Sequence, residues 1–108
     1  MLSVILLLWL VFAHLIGDFV FQNEYIAKEK KNSFYIMCCH CFLWTMGIAF
    51  VLLIFNTLEY WDGFFLFTGH LIIDECKLTN FNNKLTEKQS FAIDQILHFI
   101  QILIVLLF

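Results

Sequence analysis

The stretch MLSVILLLWLVFAHLIGDFVFQ, residues 1–22, decides how the chain is read. Its apolar run is long enough to cross a bilayer, for which about 20 residues suffice. Inside that run, however, His14 and Asp18 stand four positions apart. Four residues is just over one helical turn, so both side chains project from one face of a helix. The spacing returns at His70/Asp74 and, with the order reversed, at Asp94/His98. For a chain with four His and four Asp, chance supplies about 0.3 pairs at that separation. The observed excess predicts that several helices deliver imidazole and carboxylate to a common place, as a metal site or a proton-handling site requires.

Composition puts that place in a membrane. The chain of 108 residues is 62% hydrophobic and 19% aromatic, with 14% charged residues, against about 25% charged in ordinary soluble domains. Mean hydropathy is +0.86. A soluble chain of this size has too much surface to hide so much Leu, Ile and Phe, whereas lipid accepts it. The sequence has no proline, 4 Gly and no low-complexity linker, and its length predicts one domain. Six lysines, no arginine and a pI near 5.7 argue against a nucleic-acid partner.

Four apolar segments follow, at about 1–22, 34–58, 60–77 and 90–108. The expected fold is all-α, an antiparallel four-helix transmembrane bundle in a single integral-membrane domain. Segment 60–77 is the shortest and spans only if it tilts or the bilayer thins. Lys28, Lys30 and Lys31 lie in the first loop, and Lys77, Lys84 and Lys88 lie in or beside the third. The second loop carries Glu59 and, nearby, Asp62, but no lysine. The positive-inside rule then places loops one and three in the cytoplasm and both termini outside the inner (plasma) membrane. Val11-Phe12-Ala13 faintly resembles a signal-peptide cleavage site, but no basic residue precedes it, so the segment is expected to be retained.

With that topology the three pairs fall at matching depth. In each helix the Asp lies about one turn from the cytoplasmic end and the His about one turn deeper, roughly 10 Å in. The reversed order in the last helix is what an antiparallel helix needs to keep that register. His40 enters the second segment in the same His layer. An Asp at the bilayer centre costs about 2.5–3.5 kcal/mol, so three cost up to roughly 10 kcal/mol before their shallow position is discounted. That is comparable to the whole net stability of a small domain, about 5–15 kcal/mol. A cation is the expected compensation.

The expected ligands are His14, Asp18, His70, Asp74, Asp94 and His98, with His40 in reserve. Mixed imidazole and carboxylate donors suit a divalent transition metal, Zn first and Mn or Fe next, as one or two ions. Gln22, Gln95 and Gln101 follow the same helix faces and are expected to orient the ligands. Lys77 stands at the cytoplasmic mouth, where it could contact an anionic substrate. Cys38, Cys39 and Cys41 surround His40, but consecutive helical residues point in different directions, so the run is read as packing, with Cys41 or Cys76 as outside candidates for soft ligands. Nucleophilic-serine, phosphate-loop and dinucleotide motifs are absent from the sequence.

The strings Ala13-His14-Leu15-Ile16-Gly17-Asp18-Phe19-Val20-Phe21-Gln22, His70-Leu71-Ile72-Ile73-Asp74 through Lys77, and Asp94-Gln95-Ile96-Leu97-His98 resemble the bacterial and phage membrane proteins catalogued as domain of unknown function 3307. The resemblance covers essentially the whole chain and implies a small helical membrane domain. More distantly, helices bearing His-x-x-x-Asp look like membrane-bound metal-dependent hydrolases, zinc-dependent phospholipase C and P1-type nucleases. That likeness is one of ligand style and transfers no catalytic residue. The function expected is metal-dependent hydrolysis of an ester or phosphoester near the inner leaflet, with the lipid bilayer as surroundings, a lipid or phosphoester as substrate and a homo-oligomer compatible with it. The alternative is a proton or ion transport component, or a structural membrane protein, using the same polar network.

The topology is testable by labelling. In a cysteine-stripped background, Asn32→Cys and Asn82→Cys should be shielded from an impermeant thiol reagent in intact cells, whereas Glu59→Cys should react. Labelling at Asn32 and protection at Glu59 would invert the orientation.

Overall fold

Side-chain caps decide where three of the helices begin. The Asn23 carboxamide oxygen accepts the Ile26 amide at 2.8 Å and starts α2, Glu24–Glu29. The Ser33 hydroxyl accepts the Ile36 amide at 3.3 Å and starts α3, Phe34–Ile54. Thr86 and Gln89 cap each other's backbone amides in a reciprocal box that starts the last helix, α5, Glu87–Leu107. Each cap satisfies backbone donors that the first helical turn leaves without a partner. The computed structural model describes residues 2–20, 22–78 and 83–108, and all of its regular elements are helical. The remaining two are α1, Leu2–Leu15, and α4, Asp62–Leu78.

The end of α3 is equally specific. Asn56 adopts the left-handed conformation, with φ of 58°. The Asn56 amide donates to the Leu53 carbonyl at 3.1 Å and the Thr57 amide to the Leu52 carbonyl at 2.9 Å, the paired bonds of a Schellman stop. Asn is among the few residues other than glycine that adopt this conformation readily.

α1 does not run straight into the first loop. Residues Ile16–Val20 form a π-helical turn, which is wider than an α turn and turns both Gly17 and Asp18 to the interior. The four long helices close a ring: α1 packs on α3 and α5, and α4 packs on the same two from the other side. α2 lies against α3.

The ring is divided along its length. Leu6, Leu10, Ile48, Leu52, Leu66 and Val105 belong to a continuous apolar core in one half. The other half buries His14, Asp18, His40, His70, Asp74, Asp94 and His98. Trp44, wholly buried, stands at the boundary. Outside, Leu8, Phe12, Phe42, Phe50 and Ile96 are exposed, a coat suited to lipid rather than water.

Three helical stretches are long and apolar enough to cross a membrane: Ser3–Val20, Phe34–Ile54 and Glu87–Leu107. The expectation of four spanning segments therefore meets three among the described residues. α4 has 17 residues and carries Asp62, Asp74, Glu75 and Lys77, so it falls short on length and is more polar than its neighbours. Asp62 is used locally: its carboxylate accepts the Glu59 amide at 2.8 Å at the start of the helix. Residues 79–82 of the third loop, Asn82 included, lie outside the described residues.

Gly17 is required by the crossing of the π turn and α3. A Cβ there would lie 2.8 Å from Trp44 Cδ1 and 3.1 Å from Trp44 Cα, and backbone cannot swing aside as a flexible side-chain tip can. Gly17→Ala should therefore behave as an overpacking change, costing about 1–3 kcal/mol. A lowered unfolding midpoint in detergent would report it, while Gly47→Ala, where a Cβ meets nothing within 4 Å, should leave the midpoint nearly unchanged.

Candidate metal centre

Four helices and the π turn contribute to one buried cluster. α3 supplies His40, α4 supplies His70 and Asp74, α5 supplies Asp94 and His98, and the π turn supplies Asp18 next to His14 of α1. The imidazoles form a layer. Ring centroids are 5.0 Å apart for His40 and His70, 4.2 Å for His70 and His98, and 5.5 Å for His14 and His98. Trp44 stacks on His70 at 4.3 Å and makes the floor of that layer.

At the centre, four donor atoms converge. His40 Nε2 lies 3.0 Å from His70 Nε2, 3.5 Å from Asp18 Oδ1 and 3.2 Å from Asp74 Oδ2. His70 Nε2 lies 3.6 Å from Asp18 Oδ1 and 3.5 Å from Asp74 Oδ2. Asp18, His40 and His70 are one of three buried groupings among the described residues whose donors are close enough to share a cation. The others are Cys41, His70 and Asp74, and Asp18, Asp94 and His98. The cluster could hold a metal ion.

His14 joins none of these groupings, although the sequence spacing makes it a candidate. The Trp44 indole N–H donates to His14 Nδ1 at 2.9 Å, so the ring proton sits on Nε2, which donates to Gln95 Oε1 at 2.9 Å. Both nitrogens are thus engaged with protein partners. His14 acts as a strut between α1, α3 and α5. Gln95 extends that strut, donating to Asp94 Oδ2 at 2.9 Å. Gln22 donates to the Asp18 carbonyl at 3.4 Å, and Gln101 to the Phe65 carbonyl at 3.4 Å, so these two hold backbone rather than donor side chains.

Two lysines close the carboxylate side. Lys77 Nζ lies 3.4 Å from Asp94 Oδ2 and over the Phe91 ring. Lys30 Nζ reaches Asp74 Oδ2 at 3.1 Å. A polar opening of about 30 Å³, room for roughly one water, is lined by Asp18, Asp74, Asp94, Lys30, Lys77 and Gln95 among others. Both lysines stand at that mouth with their charges on site carboxylates.

Sequence reasoning missed Lys30 and Trp44 as parts of the site. Lys30 counts in the sequence only as one of a loop's cationic residues, and nothing local ties it to Asp74, 44 positions on. Trp44 does carry a signal: it follows His40 by four residues and so shares its helix face.

The Trp44–His14 bond is testable. Trp44→Phe keeps the aromatic floor but leaves His14 Nδ1 buried without its donor, which costs about 1–3 kcal/mol. The expected outcome is a lowered unfolding midpoint, with Trp44→Phe and His14→Phe together costing less than the sum of the two single changes, since they share one bond.

A family model described as "Protein of unknown function (DUF3307)" matches residues 5–108. No curated protein and no solved structure matches the chain. With the match running from α1 through the end of α5 and including all of the buried His and Asp residues, the chain belongs to the DUF3307 family.

Proposed function

We propose that this protein is a membrane-embedded, metal-dependent hydrolase whose cation is held by Asp18, His40, His70 and Asp74. The observation that carries the reading is the spacing of the four donors. Zinc takes nitrogen and oxygen ligands at about 2.0–2.2 Å, and a tetrahedron of that size places ligand atoms about 3.3–3.6 Å apart. The five separations given above run from 3.0 to 3.6 Å. Two imidazole nitrogens, flanked by a carboxylate oxygen of Asp18 and one of Asp74, are brought together by three different segments of the chain, the π turn, α3 and α4.

A divalent cation held by these residues would supply Lewis-acid chemistry, lowering the pKa of water and polarising a carbonyl or phosphoryl oxygen. The chain's own residues supply the rest. Lys30 and Lys77 offer two point charges at the mouth for an anionic group. Gln95 and His14 hold Asp94, and the apolar walls limit water. In the net reaction water adds its oxygen to the ester carbon or phosphorus, and the leaving oxygen departs carrying water's other proton.

The bundle of four helices is read as antiparallel, with α4 beside the three spanning helices and the polar mouth facing the cytoplasm, as the lysine distribution supports. An apolar groove of about 480 Å³ between α1 and α3 begins at Gly17, beside Asp18, and gives a lipid chain a place next to the polar mouth. A transport component is less well supported. Leu6, Leu10, Leu52, Leu66 and Val105 fill the half of the ring beyond the histidines, and a conducting route needs polar groups there.

Elemental analysis of the purified protein tests the reading. Wild-type protein should carry Zn, Mn or Fe. His70→Ala and Asp74→Asn should lose most of it, while His14→Gln, whose ring nitrogens already have protein partners, should retain it. Binding should weaken at acid pH, since protonated imidazole cannot coordinate. Protein free of metal that binds none at neutral pH would overturn the reading. Hydrolysis of a lipid phosphoester should then follow metal loading and disappear in His70→Ala.

A further inference from the structure

Asp18 shows two faces to the cluster. Its Oδ1 points to His40 and His70, at 3.5 and 3.6 Å. Its Oδ2 points the other way, to His98 Nδ1 at 3.9 Å. His98 Nδ1 in turn lies 3.4 Å from Asp94 Oδ1. Asp18, Asp94 and His98 form a second group of donors within 4.8 Å of one another, separate from His40, His70 and Asp74.

What marks this second group is how little else satisfies it. His98 is 0% exposed and Asp94 2%. Among the described residues, His98 Nδ1, His98 Nε2 and Asp94 Oδ1 make no hydrogen bond. A buried polar atom without a partner costs about 1–3 kcal/mol, and in native proteins such an atom calls for an explanation. The other Asp94 oxygen is fully engaged: Gln95 donates to Oδ2 at 2.9 Å and Lys77 sits 3.4 Å from it. Those contacts fix the carboxylate so that its unpartnered Oδ1 faces His98. Two residues with unpartnered atoms, one turn apart on one helix, face Asp18 Oδ2, which also lies 3.8 Å from His14 Nδ1.

We propose a second divalent-cation site at Asp18 Oδ2, Asp94 Oδ1 and His98 Nδ1, with Asp18 bridging the two cations. This rests on the reading that the first site holds a metal. A carboxylate bridge is the natural way to hold two ions about 3.5–4 Å apart, the spacing of two-metal hydrolytic centres. Three protein donors leave a coordination position open, whereas the first site has four. The second cation would therefore have room for a water or substrate oxygen beside the cation of the first site. Asp94 also lines the polar mouth between Lys30 and Lys77. Two dications and two lysines against three carboxylates leave that mouth strongly positive, so the substrate class it fits is a phosphoester bearing negative charge rather than a neutral carboxylic ester.

Manganese loading of the full chain in detergent, followed by elemental analysis and electron paramagnetic resonance, tests this directly. Wild-type protein should retain two equivalents of Mn after desalting, with the broadened signal of an exchange-coupled pair. Asp94→Asn and His98→Gln should each retain one equivalent and show an uncoupled signal, with helical content unchanged by circular dichroism. Wild-type protein that saturates at one equivalent with an uncoupled signal overturns the second site and leaves the first standing. Wild-type protein that binds no Mn, Zn or Fe overturns both.

Discussion

The structure depends on burying three carboxylates in an apolar bundle. Asp18, Asp74 and Asp94 are at most 8% exposed, and each isolated charge in such surroundings costs several kcal/mol. Every neighbouring feature answers that cost. Lys30 and Lys77 reach in from the polar end to Asp74 and Asp94. His40 and His70 converge on Asp18 and Asp74. Gln95 holds Asp94. A cation among the donors would complete the compensation, which ties the stability of the fold to its chemistry.

The same constraint explains why the ring is asymmetric along its length. The His/Asp cluster occupies the half that opens between Lys30 and Lys77, while Leu, Ile and Val fill most of the other, where the buried Asp62 and Gln101 hold backbone groups. Trp44 separates the two. Its indole faces the apolar core, yet its N–H serves His14 and its ring stacks on His70, so one residue joins both halves. Gly17 then lets the chain carrying Asp18 come close enough to Trp44 for the cluster to form.

The π turn at Ile16–Val20 deserves the same reading. π-helical turns are rare and often mark functional sites. Here the wider turn brings Asp18 inward so that one carboxylate faces two sets of histidines. In a continuous α-helix, Asp18 would follow His14 at an ordinary turn and present a different face to α3 and α5.

Much of this was legible in the residues themselves. Apolar runs of spanning length, and His/Asp pairs one turn apart, are local patterns, because helical periodicity alone places residues i and i+4 on one face. The reversed order of Asp94 and His98 is equally readable, since it needs only the sequence. Which histidine joins the donor cluster and which braces the bundle was not: His14 is set apart by its hydrogen bonds to Trp44 and Gln95, and those come from α3 and α5. The role of Lys30 at Asp74, the two faces of Asp18 and the length limit of α4 likewise rest on packing. Local spacing determined which side chains share a helix face. Only the tertiary structure decided which atoms meet, because that depends on how helices distant in sequence approach and rotate against one another.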